Sequence, residues 1–431
     1  SFLKRVKNYI VLQKKENKEK RLAFFFWNYP SGQNAMGASF LNIPESLSNI
    51  FKTLKHEGYN TNDVNASFFT DRVKDMMALY YRDVNVSELI DRDLCELYPL
   101  EKYKVWFNKL PKEIQANIEK VWGKVERSNM LMEKDGKQYF TIPRMKIGNF
   151  VVLPQGTRGE DKKEYEGSYH NMSLPVNHGY LAVYLYVKEI FGVDAIVHMG
   201  THGSQEWMQG KERGLDAFDS PNLAVGETPV IYPFIVDDIG EAMNTKRRGS
   251  AVSLSHMTPP FSPAGLHDEM VEIHELMHQY NEMSEGASRE KTKEQLIALS
   301  KAQSFDKELD SNASTDFKTY LIELHDYLDT LASANQPLGM HTYGKAPSDE
   351  HTILTVMQMM GSNYALLANE YASEHKEASH HVHTEACEHD EQSDIQNYKD
   401  INKSAPYMLI AQAIEGKYPK GGELKKYLQD A

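Results

Sequence analysis

The sequence predicts an α/β protein whose parallel-sheet core units are joined to a helical insertion and a mainly helical C-terminal domain. Two observations predict this class. Short apolar runs suited to buried strands recur before Pro263, each followed by glycine, proline or polar residues. Beyond Pro263, apolar residues repeat at helical spacing. The 431 residues, 41% hydrophobic and 25% charged, suffice for two or three domains.

Residues 1–61 are interpreted as an α/β unit that ends a preceding domain. The apolar run Leu22 to Trp27 predicts a buried strand, and a turn-rich segment follows it. A helix is expected to begin near Pro44, with Asn42 as its cap, and to end at Gly58. Because the sequence starts at a serine without an initiator methionine, we expect it to be a piece of a longer protein.

Residues 62–139 are predicted to be a helical insertion, because charged amphipathic patterns fill this stretch. Residues 140–265 are predicted to form the α/β core that carries the functional site. Its strands are expected at Phe150 to Leu153, Ala195 to His198 and Val230 to Tyr232. A helix from Tyr180 to Ile190 separates the first two, which predicts parallel strands joined by a crossover.

Residues 266–431 are predicted to be a helical C-terminal region. Within it, residues 374–390 are so rich in histidine and acids that we expect a mobile loop. That loop is either a solvated charged segment or a binder of soft or borderline metals. Its candidate ligands are His375, His380, His381, His383, Cys387 and His389. His274 and His278 lie four apart on a predicted helix and are either a ligand pair or solvated histidines, outside the predicted site.

The bulk composition excludes several classes of protein. A formal net charge of -13 repels phosphates, so nucleic acid is not expected as a partner. The chain has two cysteines, Cys95 and Cys387, far apart in sequence, which favours a reducing compartment, and we expect the cytoplasm. No apolar run is long enough to span a bilayer, so association with the inner membrane would require other parts or partners.

The densest group of chemically active residues runs from His198 to Lys211. It places His198, His202 and Glu206 at intervals of four, just after a predicted strand, with glycines at 200 and 203 that allow close backbone approach to a flat ligand. Imidazole and carboxylate could accept protons or hold a metal. Taken singly, each could instead be a core, capping or solvated residue. A zinc site is also possible by spacing, although the H-E-x-x-H pattern is absent.

This segment resembles the H-x-G-x-H-G-x-x-E-(W/F)-x-x-G-K signature of the large, tetrapyrrole-binding subunits of cobaltochelatase and magnesium chelatase. Similar family segments run from Gly37 to Leu47, from Leu153 to Gly159, from His178 to Tyr184, and onward to Gly344. The resemblance covers about residues 22–345. Family subunits are far longer than this chain, which agrees with a C-terminal portion. Two departures are Gln205 and Gln209, where the family usually has an apolar residue and proline.

The resemblance implies a set of site residues. His198, His202 and Glu206 match the positions thought to face the macrocycle, and we expect them to be catalytic and to ligate the metal. The expected substrate-binding residues are Arg158, His178, Gly200, Gly203, Lys211 and His341. Arg158 and the run Lys246, Arg247 and Arg248 are candidates for pairing with tetrapyrrole carboxylates, since the guanidinium suits that geometry.

The function implied is that of a chelatase large subunit, which binds a porphyrin, corrin precursor or haem and inserts or removes a divalent metal, cobalt, magnesium or iron. In this family, cobalt insertion serves cobalamin biosynthesis. One alternative is a haem-uptake paralogue that releases iron from haem, and another is a carrier without catalysis. No P-loop is present, which fits either separate ATPase partner subunits or an ATP-independent reaction. The expected partners are the tetrapyrrole, those ATPase subunits and the N-terminal remainder of the protein.

Overall fold

A computed structural model describes residues 2–27, 36, 38, 40–81, 84–159, 171–200, 205–263, 269–305, 308–309, 313, 316–333, 335–375 and 401–416. These residues form two compact units. The first, the α/β unit, comprises Ser1–Thr258 and Met340–Ala346, and the second, the helical unit, comprises Pro259–Gly339 and Pro347–Ala431. The four-part division expected from the sequence stays a prediction.

A six-stranded sheet organises the α/β unit. Its order is β5-β6-β1-β7-β8-β9, and every neighbouring pair is parallel except β5 with β6. The strands are β1 Leu22–Phe26, β5 Met145–Ile147, β6 Phe150–Pro154, β7 Ala195–Met199, β8 Val230–Ile235 and β9 Val252–His256, with β2 to β4 lying elsewhere. The α/β class expected from the sequence is confirmed.

Strand β1 lies at the centre of the sheet, between β6 and β7. Phe25 is the register partner of Leu153 on one side and of His198 on the other. All residues of β1, β6 and β7 are buried, as expected for strands covered on both faces. The parallel strands therefore bring their carboxyl ends to one edge, where side chains from distant parts of the sequence meet.

Nine helices belong to the described part of the α/β unit. The predicted start of the second helix is confirmed, since the Asn42 side chain accepts a hydrogen bond from the Glu45 backbone N–H and a proline follows in the first turn. The helices are α1 Phe2–Lys14, α2 Ile43–His56, α3 Ala66–Tyr81, α4 Val86–Asp91, α5 Leu100–Phe107, α6 Lys112–Trp122, α7 His178–Tyr186, α8 Ser220–Val225 and α9 Ile239–Asn244.

The segment 62–139 was expected to be helical, but the structure adds a three-stranded antiparallel sheet to its helices. The strands are β2 Cys95–Pro99, β3 Leu131–Lys134 and β4 Lys137–Pro143, in the order β2-β4-β3. The hairpin turn between β3 and β4 is Asp135-Gly136, both at positive φ. Asp-Gly is a strong hairpin signal, but the surrounding charged residues obscure the apolar alternation that marks a strand.

The helical unit has one short antiparallel pair and five described helices, in agreement with the predicted helical C-terminal region. The pair is β10 Phe261–Pro263 with β11 Asn335–Pro337, and the helices are α10 Glu269–Glu282, α11 Ala287–Ala302, α12 Phe317–Ser333, α13 Asp349–His375 and α14 Ala405–Ile414. Helices α10 to α12 share one apolar cluster, and α13 and α14 share another. Among the described residues, no helix is both long and apolar enough to cross a bilayer.

Candidate functional site

The candidate site lies at the edge of the large sheet where its parallel strands end. His198 is the penultimate residue of β7, Gln155 follows β6 directly, and His256 is the last residue of β9. Tyr232 lies within β8 and stacks on the His198 ring. Ligands of open α/β sheets bind outside the carboxyl ends of the strands, so the position agrees with the sequence prediction.

His198 is buried, and three aromatic rings pack against it. Its ring stacks on Phe25 at a centroid distance of 5.7 Å and on Tyr232 at 6.0 Å, and its Nε2 lies 3.4 Å from Tyr184 Oη. Its Nδ1 has no hydrogen-bond partner within the described residues. Burial lowers the pKa of His198 to about 3, so the ring is neutral near pH 7. A neutral imidazole has the lone pair that metal coordination requires.

Glu206 is the second buried donor, and it is fully inaccessible to solvent. It lies in the single turn Gln205–Trp207. The Tyr232 hydroxyl donates a hydrogen bond to Glu206 Oε1. Because the same tyrosine ring stacks on His198, Tyr232 connects the two predicted catalytic residues.

A tyrosine and glutamine network supports His198 from the other side. The Gln155 side-chain amide donates to Tyr180 Oη at 2.6 Å and to Tyr184 Oη at 2.8 Å. Burial raises the pKa of the Tyr184 hydroxyl well above its usual range, which keeps it protonated. The sequence interpretation treated Tyr184 as helix core, and it missed Gln155, Tyr180 and Tyr232 as site residues. The available signal was tyrosine at i and i+4 on a predicted helix beside the motif.

Arg248 fixes the loop that follows Glu206. It is 2% exposed, and its guanidinium donates hydrogen bonds to the backbone carbonyl oxygens of Glu206, at 2.7 Å, of Gly210, at 3.4 Å, and of Met208 and Lys211. Sequence reasoning offered Arg248, with Lys246 and Arg247, for carboxylate pairing. In the structure, Lys246 and Arg247 are exposed, whereas Arg248 holds the loop.

Arg158 is also buried, at 6% exposure, and it connects two segments at the site. Its guanidinium donates to the Trp207 carbonyl oxygen and to the Asn171 carbonyl oxygen, both at 3.2 Å. The structure therefore brings Arg158 to the turn that carries Glu206. A guanidinium in this position adds positive charge to the turn, and positive charge favours an anionic ligand.

The remaining predicted site residues have varied surroundings. Gly200 is buried directly after β7, and Lys211 is exposed, with its Nζ 3.7 Å from Asp216 Oδ2. His178 is buried, and its two ring nitrogens lie 2.7 Å from Tyr103 Oη and 3.1 Å from the Gly123 carbonyl oxygen. These partners belong to the insertion and not to the tyrosine network. The predicted residues His202 and Gly203, and the histidine-rich positions 376–390, lie outside the described residues.

His256 and His341 form a stacked pair in the same unit. Their ring centroids are 5.6 Å apart with an interplanar angle of 15°, and Tyr343 packs edge-on against both. Burial lowers the pKa of His256 to about 4, so this ring is neutral. His341 was predicted as a site residue, but His256 was missed. Its signal in the sequence was weak, because the strand that it ends has only two apolar residues.

Several buried polar atoms at this sheet edge have no hydrogen-bond partner among the described residues. They are His198 Nδ1 and both amide atoms of Gln205. Buried polar groups are nearly always hydrogen-bonded in folded proteins, so an unsatisfied group requires an explanation. A bound polar ligand or metal would satisfy such atoms. Imidazole and carboxylate donors together suit first-row transition metals, and the carboxylate also suits magnesium.

Known proteins with similar sequences include chelatase subunits. Residues 1–427 match the family described as CobN/Magnesium Chelatase. The aerobic cobaltochelatase subunit CobN of Sinorhizobium sp is 32% identical over 345 residues, covering 79% of this chain and 26% of that protein. The chloroplastic magnesium-chelatase subunit ChlH of Oryza sativa subsp. japonica is 26% identical over 362 residues, covering 81% and 25%. The chain thus spans about a quarter of the length of these relatives.

A solved structure has a similar fold. The catalytic subunit of cobaltochelatase from Mycobacterium tuberculosis superposes with a TM-score of 0.67, covering 99% of this chain and 36% of that one. The two sequences are 20% identical, so the likeness concerns the fold alone. The family match and the structural similarity each extend over the α/β unit and the helical unit.

Proposed function

Because this chain belongs to the CobN/magnesium chelatase family, we propose that it forms the part of a chelatase large subunit in which a tetrapyrrole and its metal meet. Relatives are named as cobaltochelatase and magnesium-chelatase subunits, so the proposed reaction is insertion of a divalent metal into a porphyrin or corrin macrocycle. The family suggests the reaction, and the site residues suggest which side chains take part in it.

The observation that carries the proposal is the buried arrangement of His198, Tyr232 and Glu206 at the sheet edge. Insertion of a divalent metal releases two protons from the inner nitrogens of a free porphyrin and one from those of a free corrin. The site must therefore supply proton acceptors and must exclude water from the ring. Glu206 is fully buried and has the carboxylate chemistry of a general base, while Tyr232 orients it.

We assign His198 a different task from that of Glu206. Its pKa of about 3 makes it a poor proton acceptor near neutral pH, but the neutral ring is a good metal ligand. In this proposal, His198 holds the entering metal and Glu206 accepts protons. For His202, we propose a part in both metal binding and proton acceptance, and this rests on the motif alone.

The binding surface for the macrocycle is proposed to include Arg158 and the loop held by Arg248. Arg158 brings positive charge to the turn of Glu206, which favours an anionic tetrapyrrole. Arg248 already donates hydrogen bonds to four backbone carbonyl oxygens of the loop, so we propose that it positions the loop. ATPase subunits and the rest of a longer protein are the proposed partners.

The first prediction separates binding from chemistry by substituting Glu206→Gln. The change retains shape and removes the proton acceptor. We expect macrocycle affinity within about threefold of the parent and a loss of insertion of about 100-fold or more, the usual contribution of a general base. Absorption spectra would follow a metal-free porphyrin and a corrin precursor with Co²⁺ or Mg²⁺, with ATPase partner subunits present.

The matched control is Glu212→Gln, an exposed carboxylate in the same loop, which should bind and insert as the parent does. Equal insertion rates for Glu206→Gln and the parent would refute the assignment of Glu206. Spectra that change with haem alone, followed by release of iron, would replace insertion by metal removal. Binding without any metal transfer by the parent would support a carrier instead.

A further inference from the structure

The helical unit contains a second group of potential metal ligands, away from the motif. His274 and His278 lie four residues apart on α10, and His325 lies on α12. One ligand nitrogen from each of the three rings lies within 4.8 Å of the others. This histidine triad brings together a helical pair that the sequence shows and a third residue that only helix packing supplies.

The distances in the triad are close to those of a coordinated metal. The Nε2 atoms of His274 and His278 are 3.4 Å apart. A tetrahedral ion with metal–nitrogen bonds of about 2.0–2.1 Å holds its ligand nitrogens roughly 3.3 Å from one another. The pair therefore already has the spacing of one tetrahedral edge. A separation of at most 4.8 Å for the third ring can be closed by side-chain rotation.

Core packing places these rings at the seam between the two helices. Ile273 and Met277 of α10 are buried in the same cluster as Leu324 and Leu328 of α12. Each histidine follows a core residue by one position and therefore lies at the border of the apolar face. The triad is thus held by the registration of two packed helices and not by a loop.

The surroundings of the triad favour a cation that can exchange with solvent. His278 is exposed, and His274 and His325 are half-buried. Helix α10 has four glutamates and no lysine or arginine, and α12 has Lys318 as its single basic residue apart from histidine, whereas the basic residues of this cluster lie mainly on α11. Nearby acids lower the electrostatic cost of bringing a divalent ion to the imidazoles.

We propose that the triad binds a borderline divalent transition metal, with zinc or cobalt as the best fit, through three imidazole nitrogens and one open position. Imidazole ligands select this class of metal over magnesium and calcium, and the 3.4 Å spacing favours tetrahedral geometry. The site is separate from the one proposed for the tetrapyrrole and does not rest on that proposal. A bound ion would also join α10 to α12.

The test is histidine footprinting of the full chain with diethylpyrocarbonate, with and without one equivalent of Zn²⁺, read by peptide mass spectrometry. Peptide resolution separates the triad from the histidine-rich residues 374–390. We expect Zn²⁺ to reduce modification of all three triad histidines at least fivefold. The exposed His56 on α2 is the internal control and should be modified equally in both samples. Mg²⁺ should protect none of the three triad histidines.

A paired variant tests whether the triad acts as one site. His278→Ala changes an exposed side chain and should leave the helical signal in circular dichroism unchanged. It should abolish protection of His274 and His325, while His56→Ala should leave it intact. If Zn²⁺ protects only histidines at 375–389, or if His278→Ala retains protection of the other two, the triad is not a metal site.

Discussion

The two units present their potential metal ligands in opposite ways. In the α/β unit, His198 and Glu206 are at most 1% exposed and contact aromatic rings and a tyrosine hydroxyl. In the helical unit, the triad lies on packed helices and includes the exposed His278. A buried donor set excludes water from a reaction, whereas an accessible set allows ions to exchange. The same residue types therefore suit different tasks because their burial differs.

The largest expected effect concerns the aromatic enclosure of His198. Phe25→Ala removes a fully buried ring that stacks on Tyr184 and His198, and we expect a loss of about 3–5 kcal/mol in the free energy of unfolding. Urea unfolding followed by tryptophan fluorescence reports on this unit, because all four tryptophans lie before residue 259.

The matching change in the helical unit is His278→Ala. Without metal, it should lower the free energy of unfolding by less than about 0.5 kcal/mol, because the side chain is exposed. Circular dichroism would measure it. Phe218→Ala, at an exposed ring in the α/β unit, is the second control. Equal losses for Phe25→Ala and Phe218→Ala would break the comparison, since burial would then not distinguish the positions.

A smaller effect is expected from Tyr232→Phe, which keeps the ring on His198 and removes the donor to Glu206 Oε1. Because the buried carboxylate loses a hydrogen bond, unfolding should become about 1–3 kcal/mol easier. The control is the half-buried Tyr139 on β4, where Tyr139→Phe should change stability by less than about 0.5 kcal/mol. Indistinguishable urea midpoints for the two variants would argue against a structural part for the Tyr232 hydroxyl.

A further effect concerns acid sensitivity. Burial lowers the pKa of His178 below its ordinary 6.5. As pH falls, this ring therefore binds a proton in the unfolded chain before it does so in the folded chain. The stability contributed by the neutral ring is complete above about pH 6.5 and declines as pH falls below it. His178→Gln should flatten the dependence of unfolding free energy on pH by up to about 1.4 kcal/mol per unit.

Urea unfolding at several pH values between 7.5 and 5 would show this slope. The matched control is His56→Gln, which makes the same substitution at an exposed histidine. An unchanged slope for His178→Gln would mean that this ring is not the group whose protonation weakens the folded unit.

Much of the fold followed from local patterns. Strands β1, β6, β7 and β8 were predicted from apolar runs, and helix α2 from its cap and proline, because these signals depend on neighbouring residues. The position of β1 between β6 and β7 was not predictable in this way. Strand order depends on which faces pack together across more than a hundred residues of sequence, and periodicity carries no information about that pairing.

The site divides in the same way. The sequence by itself determined the family and the motif at His198 and Glu206, because both depend on residue identity at short spacing. Only the tertiary structure showed that Tyr232 bridges them, that Arg248 holds the loop, and that His325 joins the pair on α10. Their partners are far apart in sequence, 26 residues for the Tyr232 hydroxyl and 42 for the Arg248 Nε. Contacts at that separation depend on the register of strands and helices, which the packing of the whole core decides.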